Sequence, residues 1–421
     1  MHILLINTNR YSFPPTIPVG LEYCATALRG AGYTCGILDL CFSEDCYTDI
    51  KSYFSANDVG LAGITVRNID SVLYMNNEFF LDDIRKLVDF LHDEFHIPVI
   101  AGGAGFSIMP SEILEYIHAD YGVTAPGENA LVCLINDWER NCISSSIYDG
   151  NRYGMNKNLV HYRGSDINYR DYLQNGGNIG FETHRGCSAT CTFCPEAKKK
   201  IFLKNPVNIS KEIAHLISHG YKDFHLCDSE FNNNLSFCKM LCQTFIDHHL
   251  DFSWAVYVKP HPVDEELLSL MRRSGVSMIT LSVESCDDSG RPKQYSFEEV
   301  ELWIRLTKKY CIKIAVDLLV GFPGEPTESV AKTIRFFKNN RPDTVGITSH
   351  FRLYSNTEIG RKIRENSLFR KDIIGGTDNN PSFLRPAFYN NLSNDELKYL
   401  IDDDPLFKIE GEERTVNYQR V

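Results

Sequence analysis

The sequence predicts an α/β protein: a doubly wound parallel-sheet domain, then a partial barrel of parallel strands with a short cap. Three observations carry this. Strand and helix patterns alternate through residues 1–140, and they alternate again over 178–358 with a different rhythm. Between these runs, 141–177 is polar and Gly/Asn-rich (NCISSSIYDGNRYGMNKN) and reads as a linker. At 421 residues the chain is long enough for two or three buried cores.

In the first run HILLIN reads as a buried strand, and VGLEYCATALRGAGY as a helix stopping near Gly32. CGILDL and VGLAGITV are further strands, followed by the amphipathic DDIRKLVDFLHDEF. PVIAGG, the short helix SEILEYIHA, YGVTA and the helix NALVCLINDWER close the domain. Ligands of such sheets sit at the carboxyl ends of the strands. That edge carries Asn7 to Val19, Thr65 to Asn68, Gly102 to Ser107, and Gly127-Glu128.

In the second run the strands are NIGFET, KDFHLCD, FSWAVYV, SMITLSVE, IKIAVDLLV and TVGITSHFRLY. Helical stretches such as KEIAHLISHG, EELLSLMRRSG and ESVAKTIRFFKNN lie between them, which suggests a (β/α)6 partial barrel. The extension 359–421 reads as irregular and ends acidic (DELKYLIDDD, EGEER), with PSFLRPAFY as its apolar stretch, placed as a cap on the barrel mouth.

No run approaches the ~18 apolar residues that cross a bilayer, and MHILLINTNR lacks the features of a signal peptide. Fourteen cysteines without an export signal point to a reducing, cytoplasmic setting. A net charge of −12 argues against a nucleic-acid backbone as partner and favours a small molecule.

Residues 185–194, RGCSATCTFC, crowd Cys187, Cys191 and Cys194 into one loop directly after NIGFET. Three thiolates can hold an iron–sulfur cluster and leave one iron open for a ligand. The bland alternatives are a zinc knuckle, with His184 adjacent, or neighbouring structural thiols.

The Cys-x3-Cys-x2-Cys loop at this place resembles that of the radical S-adenosylmethionine (SAM) enzymes. The resemblance implies a [4Fe–4S] cluster on the three cysteines, SAM on the open iron, and a 5′-deoxyadenosyl radical made by one-electron reduction. It also implies that Asp228, Ser229 and Glu230 accept hydrogen bonds from the SAM amino group, and that Glu284, with Ser282 beside it, binds the ribose. GFPGE, with Gly321 and Pro323, matches the adenine-side turn, and Phe193 would set its backbone against the adenine. Taken singly, a carboxylate ending a strand is more often a helix cap or a surface charge. Tyr257, Lys259, Asp317, Arg352 and Tyr354 also project from strand ends and are candidates to line a substrate pocket, against a rim or ion-pair role. Lys198, Lys199, Lys200 and Lys204 are either a solvated loop or a docking patch for a flavodoxin- or ferredoxin-type electron donor. Cys238 and Cys242 read as helix packing, and Cys41 and Cys46 carry no site argument.

PVGLEYCATALRGAGYTCGILDL, GITVRN, AGGAGFSIMPSEIL and APGEN resemble the cobalamin (B12)-binding, Rossmann-like domain that precedes the barrel in one radical SAM subgroup. Its implied contacts are Val19, Gly20, Thr65, Arg67, Gly102, Gly103, Gly105, Phe106, Gly127 and Glu128. Glycines 102, 103 and 105 would let backbone approach a ligand, with the next helix start offering amides to a phosphate. The Asp-x-His-x-x-Gly signature of a lower cobalt ligand is missing: the first loop, NTNRYSFPPTIPVG, has no histidine, and Asp223-Phe224-His225 lies on a barrel strand. Either cobalamin binds without a histidine ligand, or the domain has kept the fold and lost the cofactor. For the subgroup the implied reaction is C-methylation of a small molecule, such as an amino acid, sugar or natural-product intermediate. The alternatives are rearrangement, cyclisation, dehydration or aminocarboxypropyl transfer on the same cluster, and, from another class, a non-catalytic metal-binding module.

Overall fold

A computed structural model describes residues 1–11, 14–286, 294–376 and 379–410, apart from the Ser367 side chain. The expected acidic segment EGEER therefore lies outside the described residues beyond Glu410, as do Ser12 and Phe13 of the first loop. The chain divides into two compact units, one of residues 1–71, 78–185 and 202–221, the other of 72–77, 186–201 and 222 onward.

The first unit runs β1 (His2–Asn7), α1 (Val19–Gly30), β2 (Thr34–Asp39), α2 (Cys46–Ala56), β3 (Val59–Thr65) and α3 (Leu81–Phe95). It continues with β4 (Val99–Gly102), α4 (Pro110–Ile117), β5 (Tyr121–Val123), α5 (Gly127–Glu139) and β6 (Ile147–Tyr148). The sheet order is β2-β1-β3-β4-β5-β6, all parallel, with the order reversing beside β1. A ligand crevice belongs at such a reversal. Leu81, Ile84, Leu87, Val88 and Leu91 form the buried stripe of α3 at three- and four-residue spacing. Ile3, Leu5, Leu28, Leu61, Ile100 and Leu134 share a core, each contributing roughly 1.5–3 kcal/mol by burial.

The expected linker is part of this unit's structure. It supplies β6, α6 (Gly150–Tyr153) and α7 (Tyr169–Gln174). Arg163 from this stretch is fully buried, donating to Glu212 (2.6 Å), Glu22 (3.1 Å), Tyr169 (2.8 Å) and the Gly180 carbonyl (2.7 Å). The polar composition reads as a linker, yet its arginine is paired inside with two carboxylates. β7 (Ile179–Phe181), β8 (His184–Arg185), β9 (Phe202–Leu203) and α8 (Pro206–Ser218) complete the unit.

The second unit runs β10 (Asp223–Leu226), α9 (Leu235–Asp247), β11 (Ser253–Val258), α10 (Glu265–Arg273), β12 (Val276–Glu284) and α11 (Phe297–Lys309). Then come β13 (Lys313–Leu319), α12 (Thr327–Asn340) and β14 (Thr344–Thr348). Strands β10 to β14 lie side by side in chain order and parallel, as a barrel wall requires. TVGITSHFRLY is not one strand: it breaks after Thr348, and β15 (Phe351–Arg352) joins an antiparallel sheet, β15-β17-β16, with β16 (Ile373–Gly375) and β17 (Ala387–Tyr389). The extension is not irregular either. α13 (Glu358–Glu365) and α14 (Asn394–Ile401) are capped helices, and β18 (Phe407–Ile409) pairs in parallel with β14. A three-residue strand is too short to leave a periodic signal.

Candidate active site

The carboxyl ends of β10 to β13 gather the expected residues around the cysteine loop. Gly186 starts that loop at φ +87°, where a Cβ would lie 2.1 Å from the Lys200 carbonyl, so only glycine lets the loop's two ends meet. The Lys198 amide donates to the Ala189 carbonyl (2.9 Å), closing it further. The amides of Ala189, Glu196 and Ala197 lie close enough to favour thiolate at Cys187 and Cys194, and Gln294 Nε2 stands 3.9 Å from Cys191 Sγ. Amides aimed at cysteine sulfur are how a protein tunes an iron–sulfur cluster. Burial pushes all three thiols up, Cys194 to about 11; Glu284 adds to the rise at Cys191. Metal charge is what would turn such thiols into thiolates. Among the described residues no three His, Cys, Asp or Glu side chains, the loop cysteines included, are gathered as a ready metal-ion site.

Lys259 is tied to this loop, its Nζ donating to Ser188 Oγ (2.9 Å) and Asn233 Oδ1 (3.1 Å). Ser188, Asn233 and Gln294 were not picked out from the sequence; none stands in a local pattern. Glu230 has its Oε2 buried without a hydrogen-bond partner. Burial raises its pKa to about 8, opposed by a hydrogen bond from Ser282 and by Lys259, and assisted by Asp317. An orphaned carboxylate oxygen beside the cysteines is the kind of acceptor that a SAM amino group or ribose hydroxyl would satisfy. Asp228 is buried, Ser229 is exposed, and Glu284 ends β12 with its amide donating to Tyr295. The Gly321–Glu325 turn is built by Glu325, whose Oε2 accepts the amides of Gly321 (2.8 Å) and Phe322 (3.0 Å); Pro323 is half-buried on it. Phe193 packs on Phe322 and Phe351, ring centroids 6.2 and 5.9 Å apart. Tyr257 lies edge-on to His225.

Two expectations change. Arg352, a candidate for the substrate pocket against a rim or ion-pair role, directs its guanidinium at the carbonyls of Leu353, Phe383 (2.9 Å) and Leu384 (3.0 Å), and stacks on Tyr354. It is a clamp on the C-terminal segment. Lys204 is no part of an exposed basic patch: it is buried in the first unit, Nζ 3.4 Å from the centre of the Tyr23 ring. Lys198 and Lys200 are exposed, and Lys199 pairs with Glu196. Cys238 and Cys242 are buried in α9, as packing predicts.

In the first unit the register aligns Asn7, Thr65 and Gly102 across β1, β3 and β4, so the expected residues do share one sheet edge. Asn9, in the loop after β1, has a buried Nδ2 without a partner, a donor for a ligand carbonyl such as a corrin amide. Val19 opens α1 buried, Gly20 is exposed, and Arg67 and Gly127 stand at the same edge. The glycines serve a different purpose from the one expected. A Cβ on Gly103 (φ +107°) would lie 2.6 Å from the Val66 carbonyl, and one on Gly105 3.0 Å from Arg67 backbone. They let two loops of the protein pack against each other. The amides of Gly105 to Ile108 all donate to protein carbonyls. Phe106 is core: its ring fills the space a Gly122 side chain would need. Glu128 is buried and paired with Arg185 (2.7 Å). Its Oε1, with His161 and Lys204, lines a cavity of about 20 Å³, room for one water and far too small for a cofactor.

The radical SAM superfamily matches residues 181–337 and the B12 binding domain residues 11–135. The tryptophan 2-C-methyltransferase of Streptomyces laurentii is 25% identical over 90% of this chain and 77% of its own length. The structure of the radical SAM methyltransferase TsrM from Kitasatospora setae, with cobalamin and a [4Fe-4S] cluster bound, is similar at TM-score 0.79 and 25% identity, over 89% of this chain and 80% of that one. A second TsrM structure from Kitasatospora setae, with tryptophan and a SAM analogue bound, shares the fold at TM-score 0.84 and 24% identity, over 95% and 87%.

Proposed function

This chain belongs to the radical SAM superfamily, in the group with a B12-binding domain ahead of the barrel, and on that premise we propose that it methylates a carbon of an indole-bearing amino acid, tryptophan first. The observation that carries the reading is the similarity to a tryptophan 2-C-methyltransferase along 90% of the chain, in which both family regions are matched. In net terms, SAM and R–H give S-adenosylhomocysteine, R–CH3 and a proton, which needs no external oxidant. When bound, cobalamin supplies a cobalt that can carry a methyl group, and the cluster supplies an open iron and single electrons.

The residues of this chain divide the remaining work. Cys187, Cys191 and Cys194 hold the cluster, with Gln294 and the loop amides close to their sulfurs. Lys259 keeps the loop in place through Ser188. Glu230 and Ser282 receive the polar end of SAM, with Asp228, Ser229 and Glu284 beside them; Gly321 and Pro323 shape the turn on the adenine side. Asn9, Thr65 and Arg67 would face cobalamin at the sheet edge. Lys198 and Lys200 offer an exposed positive edge to a flavodoxin- or ferredoxin-type donor.

The test is anaerobic turnover of the reconstituted protein with SAM, cobalamin, a reductant and L-tryptophan. A methylated indole formed in step with S-adenosylhomocysteine is expected. SAM consumption without any methylated indole overturns the reading. Release of 5′-deoxyadenosine in step with product assigns substrate activation to the radical, and methyl transfer without it assigns a polar substitution.

A further inference from the structure

At the carboxyl end of β14 the second unit leaves three polar atoms buried without hydrogen-bond partners: Ser349 Oγ, His350 Nδ1 and Asn391 Oδ1. Unpaired polar groups are costly in a protein interior, so each of these atoms calls for a water or a ligand group to meet it. Asn391 and the Ser349 carbonyl lie 3.0 and 3.3 Å from where a Gly321 Cβ would stand, so both touch the Gly321–Glu325 turn. On the other side of His350, Phe351 packs on Phe193 of the cysteine loop. His350 is thus flanked in sequence by residues seated on the two elements read as the SAM site.

The imidazole itself is fixed. It is 7% exposed, lies against Tyr74 (ring centroids 4.5 Å) and stands edge-on to Phe388 (5.9 Å). One ring nitrogen donates to the Val72 carbonyl, which assigns that nitrogen the proton and leaves Nδ1 a bare acceptor. Burial lowers its pKa to about 4, so the ring stays neutral near pH 7. Any ligand meeting Nδ1 must therefore bring a hydrogen, and the aromatic surroundings favour a flat one.

We propose that His350 Nδ1 accepts the ring N–H of the methyl-acceptor substrate and so selects N–H heteroaromatics. This rests on the methyl-transfer reading above and names the contact that recognises the indole. A site built to receive an N–H rejects the analogue that lacks it far more strongly than it resolves a methylene.

Equilibrium dialysis of the cofactor-loaded protein tests this with L-tryptophan and 3-(3-benzothienyl)-L-alanine, in which sulfur replaces the N–H. The wild-type protein should hold tryptophan tighter by about tenfold or more. His350→Phe should bind the two alike, and His350→Asn, whose oxygen can stand near the Nδ1 position, should recover part of the preference. Cobalamin content and thermal melting check that each variant is folded, and the asparagine variant keeps the test valid if phenylalanine does not fit. A His350→Phe protein that keeps the preference overturns the assignment. A wild-type protein that holds both ligands equally while methylating tryptophan overturns it alone. Failure to methylate any indole overturns the substrate reading first, and this assignment with it.

Discussion

Two groups of buried polar side chains, one in each unit, differ in how far their hydrogen bonds are met. In the first, Arg163 is satisfied on every side by Glu22, Glu212, Tyr169 and a carbonyl, and Tyr23 donates to Glu212 (2.9 Å). In the second, Glu230 Oε2, Ser349 Oγ, His350 Nδ1 and Asn391 Oδ1 stand without partners at or beside the ends of parallel strands. A saturated network holds a fold in one arrangement; an unsaturated one retains binding capacity for a ligand. Charge and burial alone do not separate these two groups; their unmet hydrogen bonds do, and the first unit has unmet atoms of its own away from Arg163, at Asn9, Glu128, His161 and Lys204.

This contrast can be broken most forcefully at Arg163. Arg163→Met leaves Glu22 and Glu212 buried without the arginine's charge, and should cost about 3–5 kcal/mol in denaturant unfolding. If such a protein melts like the wild type, the network is not what holds the first unit. Glu230→Gln should act the other way, weakening SAM binding by roughly 10- to 100-fold, the usual worth of a charged hydrogen bond, with the fold intact. Its sign with pH is fixed. Folded Glu230 keeps its proton to about 8, against 4.5 for the free side chain, so rising pH across that window costs the folded state. Glutamine removes that cost, and the variant should gain relative stability between pH 5 and 8, read from melting curves. Arg352→Gln sharpens the contrast with the smallest effect. This strand-end residue is fully employed by carbonyls, so the change should cost about 1–2 kcal/mol of stability and leave SAM affinity alone. A selective loss of SAM binding would return Arg352 to the site.

What the sequence made legible is what repeats or crowds locally. The alternating strands and helices and the three cysteines are of that kind, and the structure gathers Glu230, Ser282, Asp317 and Lys259 at the barrel edge with the cysteines. What it hid depends on partners far along the chain. Lys204 reads as one more lysine after a basic run until Tyr23 and Glu182 enclose it. Gly103 and Gly105 read as a ligand cradle until the loop after β3 closes on them. His350 sat inside a presumed strand, and only the break after Thr348 and the arrival of Tyr74 and Phe388 make it a site.

The pairing of β18 with β14 bears on how the chain is made. Residues 344–348 emerge from the ribosome some sixty positions before their last neighbour, 407–409, and until then β14 presents an open strand edge on that side. Loop closure over that span is entropically mild but slow to find, and nascent chains lengthen by only about 5–20 residues per second. For several seconds that edge would be open to pairing with another strand. A chain shortened before residue 407 would keep that edge open permanently, and should show it as aggregation during expression.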